Sequence, residues 1–102
     1  GYSMCSIPKD LPKLRLAVKA SKHPPAAWCH EHAAPGKVVQ VKAGGSFSFD
    51  TRQRASLENL VLVAGGIGIN PLYSMLQEAL AAGDALQLRK ASLLYSASTP
   101  SE

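Results

Sequence analysis

Long apolar stretches are missing from this sequence. No run approaches the ~18 residues needed to cross a bilayer, so a membrane span is not expected. Aromatic residues are also scarce, at 6% of the chain with a single tryptophan, and they do not alternate with the basic residues. The stacking platforms that hold single-stranded nucleic acid are therefore absent. Cysteine is rarer still. Cys5 and Cys29 are too few for a disulfide framework, and small reduced thiols in a reducing compartment suit them better. No internal repeat or low-complexity tract occurs. The opening Gly1-Tyr2-Ser3-Met4 has no basic region followed by an apolar stretch, so no secretion signal is expected there. It also does not begin with methionine, which points to an upstream segment or address lying outside these residues.

What is present is ordinary globular composition. Of 102 residues, 46% are hydrophobic and 18% charged, enough for one small domain at most. The formal net charge is +4, with Lys9, Lys13, Arg15, Lys19, Lys22, Lys37 and Lys42 all in the first half. These cations are spaced singly, as on solvated outer faces. A nucleic-acid partner is not expected.

The two halves follow different periods. Leu14 to Ala20 alternates, with Leu14, Leu16 and Val18 on one side and Arg15, Ala17 and Lys19 on the other, which predicts a half-buried strand. Val38 to Lys42 is a second candidate strand, and Phe47 and Phe49, alternating with Ser46 and Ser48, form a third. Between the first two, the prolines of His23-Pro24-Pro25-Ala26-Ala27-Trp28 forbid a continuous ladder.

Asp50 to Glu58 is polar and reads as a linker. Beyond it, Leu60-Val61-Leu62-Val63-Ala64 is an unbroken apolar run, which predicts a strand covered on both faces, as in a parallel sheet. It leads into Gly65-Gly66-Ile67-Gly68-Ile69. Asn70 suits a helix N-cap and Pro71 the first helical position. Leu72, Leu76, Ala79 and Leu80 then predict an apolar stripe, and Gly83 a left-handed cap. Ser92-Leu93-Leu94-Tyr95 is the returning strand of a βαβ unit.

The strongest chemical signal is the turn from Gly65 to Pro71. Glycines after a buried strand let backbone N–H groups approach an anion, and a helix N-terminus adds partial positive charge at the same point. A dinucleotide diphosphate is the expected guest. The blander alternative is that the glycines only allow close strand-to-helix packing. The spacing is not G-x-G-x-x-G, and no Walker lysine follows. Cys29-His30-Glu31-His32 with His23 suggests a metal site, but it lacks the H-E-x-x-H spacing and a second ligand pair, so no metal is expected. Ser46, His32 and Asp50 could be drawn as a triad, yet no nucleophile elbow supports it.

G-G-I-G-I-N-P after L-V-L-V-A resembles the G-G-T-G-I-x-P segment that opens the nicotinamide-nucleotide domain of the ferredoxin–NADP reductase superfamily. Tyr2-Ser3-Met4-Cys5-Ser6 is similar to the Y-S-I-A-S end of that superfamily's flavin-binding R-x-Y-S motif. Gly45-Ser46-Phe47 is similar to the G-x-F that closes its flavin barrel. L-L-Y-S-A-S-T-P-S-E, from Leu93 to Glu102, resembles the second-strand L-L-Y-G-A-R-T-P-E-D. The H-P-P-A-x-W and V-x-x-G-G-x-F-x-F-D stretches resemble one member of the superfamily in particular.

This resemblance implies an α/β plus β architecture: the C-terminal part of an antiparallel flavin-binding β-barrel, followed by the first βαβ unit of a nucleotide-binding parallel sheet. Residues 1–52 would be a partial FAD-binding barrel domain and residues 53–102 a partial NAD(P)-binding domain. Tyr2 and Ser3 would take the catalytic places beside the flavin ring, although tyrosine is as often a core residue. Ser6 would complete the flavin contact. Gly65, Gly66, Ile67, Gly68, Ile69, Asn70, Pro71 and Ser96 would bind the nicotinamide nucleotide.

Some positions depart from the superfamily pattern. Its usual arginine would fall one residue before Gly1. His23 and Ala26 stand where G-x-x-S or G-x-x-T receives the flavin diphosphate. Ile67 replaces a threonine, and Ser98 stands where NADPH-using members often carry arginine, which favours NADH over NADPH. The parent protein would pass hydride from NAD(P)H to FAD and on to an acceptor the sequence does not name. The chain by itself is expected to be inactive and of low stability, because two incomplete cores bury little. The alternative is a non-catalytic nucleotide-binding or interaction module that has lost flavin chemistry. The resemblance also suggests a mitochondrial address.

Overall fold

A computed structural model describes residues 1–53 and 57–100 of the chain. The middle of the expected linker, residues 54–56, and the last two residues of the segment ending in Glu102 lie outside that description. The chain forms two compact units, one of Gly1–Ala17 with Ser48–Glu102, the other of Val18–Phe47.

The first unit is organised around a βαβ arrangement. Strand β1 runs Asn59–Gly65, a 3₁₀ turn covers Gly66–Gly68, helix α2 runs Ile69–Leu86, and strand β2 runs Lys90–Ser96. (The second unit holds α1, Pro24–Glu31, the earlier helix in the chain.) The two strands pair in parallel from Asn59 against Lys90 to Gly65 against Ser96, so the returning strand falls where the sequence predicts it. Parallel strands cannot be joined by a tight turn, and the 18 residues of α2 supply the crossover. Two bonds close the unit below the strands: Leu57 N–H donates to the Leu86 carbonyl at 2.7 Å, and Arg89 N–H to the Glu58 carbonyl at 2.8 Å.

The core lies between the sheet and one stripe of α2. Leu62, Ala64, Ala79 and Leu86 are buried. Leu72 and Leu76 are half-buried, while Leu80, expected in the stripe, is 58% exposed at its edge. β1 also differs from expectation. Its inward residues Leu62 and Ala64 are covered, but Val61 and Val63 on the other face are exposed. An unbroken apolar run is therefore consistent here with a sheet covered on one face only.

The helix end is displaced as well. Gly83 does not form the left-handed cap; it sits inside α2 with non-helical angles (φ 5°, ψ −83°), and the chain makes one further turn to Leu86. Gln87 takes the left-handed conformation at φ 55°. Burial of Leu86 at 1% exposure supplies the reason. The extra turn carries a leucine into the core, worth about 2 kcal/mol, which outweighs ending at the glycine.

The expected barrel strands are not seen among the described residues. Among the described residues, the two-stranded parallel sheet is the only sheet. Leu14 to Ala20, Val38 to Lys42 and residues 46–49 carry no strand assignment, and Leu14, Leu16, Val38, Val41 and Phe47 are exposed. Alternation can mark which side of a strand would face a core, but a ladder needs a neighbouring strand, and no second sheet occurs among the described residues. The nearest approach is local. Cys5 N–H donates to the Arg15 carbonyl at 2.9 Å, and Arg15 N–H donates to Ser6 Oγ at 3.0 Å.

In the second unit, α1 replaces the expected interruption between strands. Pro24 and Pro25 occupy its first two positions, where a missing N–H carries no penalty. Ala26 is its buried residue, and His30 Nε2 bonds the Val18 carbonyl at 2.7 Å.

Candidate functional site

Gly65–Gly68 lies at the carboxyl ends of the parallel strands, where ligands of open α/β sheets bind. The register sets Ser96 directly beside Gly65, so two of the expected nucleotide-binding positions share one edge of the sheet. Gly66 takes φ +50°, a left-handed value that admits glycine without a steric penalty. A side-chain carbon built on Gly65 or Gly68 would meet nothing within 4 Å, so the turn faces open space. Ile67 is 49% exposed beside them.

The hydrogen bonding of this turn shifts the amide end of the helix. Ile69 N–H donates to the Gly66 and Ile67 carbonyls, and Gly68 is the N-cap in right-handed conformation. The 3₁₀ turn thus runs into α2 without a break. The first N–H groups of a helix have no carbonyl behind them; here those positions fall on Gly66, Ile67 and Gly68. An open, glycine-lined surface with amides at a helix start fits a diphosphate in both charge and space. The turn therefore has the donors and the space that an anion such as a diphosphate needs.

Asn70 does not cap the helix. It is the second residue of the helix, two positions past the N-cap; it is 5% exposed, and its Nδ2 donates to the Ala17 carbonyl at 2.8 Å. The continuous turn removes the extended geometry an N-cap needs, and the side chain is engaged elsewhere. Pro71 correspondingly falls third in the helix rather than first, still within the turn that needs no internal N–H partner.

Tyr2 and Ser3 are exposed, with Tyr2 at 44%. Ser6, three residues on, is 2% exposed. Its hydroxyl oxygen accepts from Arg15 N–H, and its carbonyl accepts from Ser74 Oγ at 2.7 Å. Its surroundings make Ser6 an anchor, while Gly1 to Met4 ahead of it are exposed. Gln77 Nε2 donates to the Cys5 carbonyl at 2.9 Å. Sequence reasoning passed over Ser74, Gln77 and this use of Asn70. The signal was there: polar residues at spacings of four and three on an otherwise apolar helix share a face.

The start of α1, by contrast, is poorly furnished for a flavin diphosphate. Pro24 and Pro25 have no N–H to offer. Ala27 N–H is bonded to the His23 carbonyl at 2.9 Å, and Ala26 is buried and lacks a hydroxyl. These residues do not fit a dinucleotide phosphate. No group of three or more metal-ligating side chains comes together among the described residues. Both carboxylate oxygens of Asp50 accept from Arg52 at 3.0 Å, and His32 Nε2 lies 3.7 Å from Glu31. No helix among the described residues is long and apolar enough to cross a membrane.

Sequence comparison points the same way as the glycine turn. Oxidoreductase NAD-binding domain-containing protein 1 of Bos taurus is 42% identical over 112 aligned positions, which take in 100% of this chain and 36% of the relative. The Homo sapiens protein of the same name is 48% identical over 82 residues, 78% of this chain and 26% of the relative. The chain is thus similar to proteins named for an oxidoreductase NAD-binding domain. These relatives carry the name of the member that the H-P-P-A-x-W stretch resembles. A more distant similarity, 34% over 92 residues, is to a flavohemoprotein of Candida albicans, covering 85% of this chain and 21% of that protein. The chain spans 26–36% of the length of the two oxidoreductase relatives. No protein-family profile and no solved structure matches it.

Proposed function

We propose that this chain carries the nicotinamide-nucleotide phosphate site of an NAD(P)H-dependent flavin oxidoreductase. The observation behind this reading is the open turn Gly65–Gly68 at the carboxyl edge of β1, with the start of α2 behind it. Gly65, Gly66, Ile67, Gly68 and Ile69 would receive the diphosphate through backbone amides, and Ser96 would flank it. Asn70 and Pro71 shape the helix start instead of touching the ligand. In the whole protein, residues 1–52 would belong to the flavin portion and residues 53–102 to the nicotinamide portion.

When bound together, the two cofactors supply hydride transfer: the dihydronicotinamide C–H bond breaks, two electrons and a proton pass to the flavin, and oxidised nicotinamide remains. The protein's share is orientation and exclusion of water. Tyr2 would lie against the flavin ring and Ser3 would donate a hydrogen bond to it. FAD would have to be held through that ring rather than by its diphosphate at α1. NADH is favoured over NADPH, because Ser98 offers no cation to a 2′-phosphate. The acceptor is a further component, and a mitochondrial setting rests on the family likeness alone.

Gly68→Asp tests the reading. The site tolerates a side chain, since nothing lies within 4 Å and its φ is −61°. A carboxylate near a diphosphate is repelled by about 4 kcal/mol at ~4 Å and an effective dielectric near 20. NADH fluorescence titration should show at least about a tenfold loss of affinity with an unchanged melting temperature. Equal affinity in both proteins would remove the reading.

A second reading is favoured by one observation, the paired prolines at the start of α1. On that account the chain binds nicotinamide nucleotide but no longer takes part in flavin chemistry. A colourless protein that binds NADH would support it. A yellow protein bleached by NADH would support the first.

A further inference from the structure

Helix α2 has two working faces. Leu72, Leu76, Ala79 and Leu86 turn toward the sheet. Asn70, Ser74 and Gln77, at spacings of four and three, fall about half a turn away on the opposite side. All three polar side chains donate to backbone carbonyls of the early chain: Asn70 to Ala17 at 2.8 Å, Ser74 to Ser6 at 2.7 Å, Gln77 to Cys5 at 2.9 Å. The two early segments are tied to each other as well, through Cys5 N–H to the Arg15 carbonyl and Arg15 N–H to Ser6 Oγ. The row is therefore a clamp on main chain, and main-chain bonds fix a segment's course whatever its side chains are.

We infer that Ser74 and Gln77 are positioning residues, holding the segment Tyr2–Ser6 along α2 so that Tyr2 and Ser3 keep a fixed separation from the Gly65–Gly68 turn. The inference rests on the functional reading above for what that separation is for. Its physical content stands on the three bonds. Ser74 lies six residues after Gly68, ~9 Å along the helix axis at ~1.5 Å per residue. The same rigid element thus begins at the glycine turn and ends its first turns against Cys5 and Ser6. A reaction between two flat rings depends steeply on their separation and orientation. One helix gripping both sites sets that geometry without relying on a loop.

The two bonds differ in what can replace them. Threonine at position 74 keeps a hydroxyl donor. Glutamate at position 77 keeps size but loses the N–H and turns a carboxylate toward the Cys5 carbonyl. Cys5, half-buried within the clamped segment, reports on it directly, and Cys29 on α1 is an internal reference.

The test uses the full chain, unliganded and with NADH. Ser74→Ala and Gln77→Glu are labelled with iodoacetamide, and the rates at Cys5 and Cys29 are read separately by peptide mass spectrometry. Fluorotyrosine incorporation gives three ¹⁹F signals, from Tyr2, from Tyr73 beside Ser74 on α2, and from Tyr95 on β2; Tyr73→Phe assigns the second, and Tyr2 and Tyr95 are the ones compared. For each bond removed, Cys5 should react about fivefold faster, as expected for the loss of one hydrogen bond. Cys29 and the Tyr95 signal should not change, the Tyr2 signal should shift or narrow, and NADH affinity should stay within about twofold of the unsubstituted chain. Ser74→Thr should restore the original Cys5 rate. Cys5 rates and a Tyr2 signal unchanged in both variants would overturn the inference, as would a Cys29 rate rising in step with Cys5. The nucleotide reading fails separately, if the unsubstituted chain does not bind NADH, and that outcome leaves the labelling result to decide the clamp.

Discussion

Two stretches of this chain carry apolar segments that predict strands, and they end in different states. From Asn59 to Ser96, strand, turn, helix and strand close on each other, and the second strand finds the first through its own crossover. From Leu14 to Phe49, the alternating segments form no ladder among the described residues, and most of their apolar side chains are exposed. The difference lies in where the partner is. A parallel pair joined by a helix finds its ladder within about forty residues of chain, whereas a barrel strand depends on several non-local neighbours at once. Patterning states which face would be buried. It does not supply the surface that buries it.

The largest effect should come from breaking the half that closes. Leu86 is 1% exposed and lies on the extra helical turn beyond Gly83. Leu86→Ala should destabilise by about 2–5 kcal/mol, read as a lower urea midpoint. For a chain this small that is most of the stability available. Val63→Ala, on the open face of β1 at 71% exposure, should change stability by no more than about 0.5 kcal/mol. Similar losses at both positions would mean that the outer face is covered in solution, and the comparison between buried and open strand faces would collapse.

Amide exchange sharpens the contrast between the two stretches. The paired amides of Leu62 and Leu94 should exchange at least about tenfold more slowly than those of Val39 and Val41, which have no ladder partner. Comparable protection of Val39 and Val41 would show that the early segments do find a partner.

Legibility follows the same division. The parallel strands, the glycine turn and the helix between them were readable because each depends on residues close in sequence. The helix limits were not, because two distant contacts overrode local preference. Asn70 is a good N-cap by type, yet the Ala17 carbonyl, 53 positions away, takes its side chain. Gly83 is a good cap by type, yet burial of Leu86 carries the helix past it. The prolines of α1 were read as a break in a ladder, when at the first two positions of a helix they are as well accommodated. At the candidate site, the glycines declared the turn. The clamp by Ser74 and Gln77 was written only as a spacing, and nothing in a single sequence says which carbonyls such a row would find.

Gln87 offers a smaller, stabilising test of the same point. It holds φ 55°, where a non-glycine residue is strained by roughly 1–2 kcal/mol. Gln87→Gly removes that strain and adds about 0.5–1 kcal/mol of chain entropy lost on folding. The net expected gain is about 0.5–1 kcal/mol, seen as a higher melting temperature. A loss on substitution would show that the Gln87 side chain does more for the helix end than its backbone angle takes away.

The smallest effect lies in the early half, where order depends on single polar contacts. Asp10 Oδ2 accepts from Ile7 N–H at 3.1 Å and from Arg15 Nη2 at 3.3 Å. The Ile7 bond first, then the Arg15 guanidinium, favours the carboxylate and holds its pKa below the ordinary value of 3.8. A carboxyl depressed on folding contributes stability that is present above its unfolded pKa and lost as pH falls through the folded one. Asp10 should therefore titrate by carboxyl ¹³C NMR with a midpoint below 3.8, and in Asp10→Asn the acid side of the stability profile should flatten slightly. Because the side chain is partly exposed, added salt should erase much of the shift that Arg15 causes and leave that from the Ile7 amide. A midpoint at or above 3.8 would mean that the turn at Pro8–Asp10 is not held by this carboxylate. The early half would then lack even the local closure that its polar contacts give it.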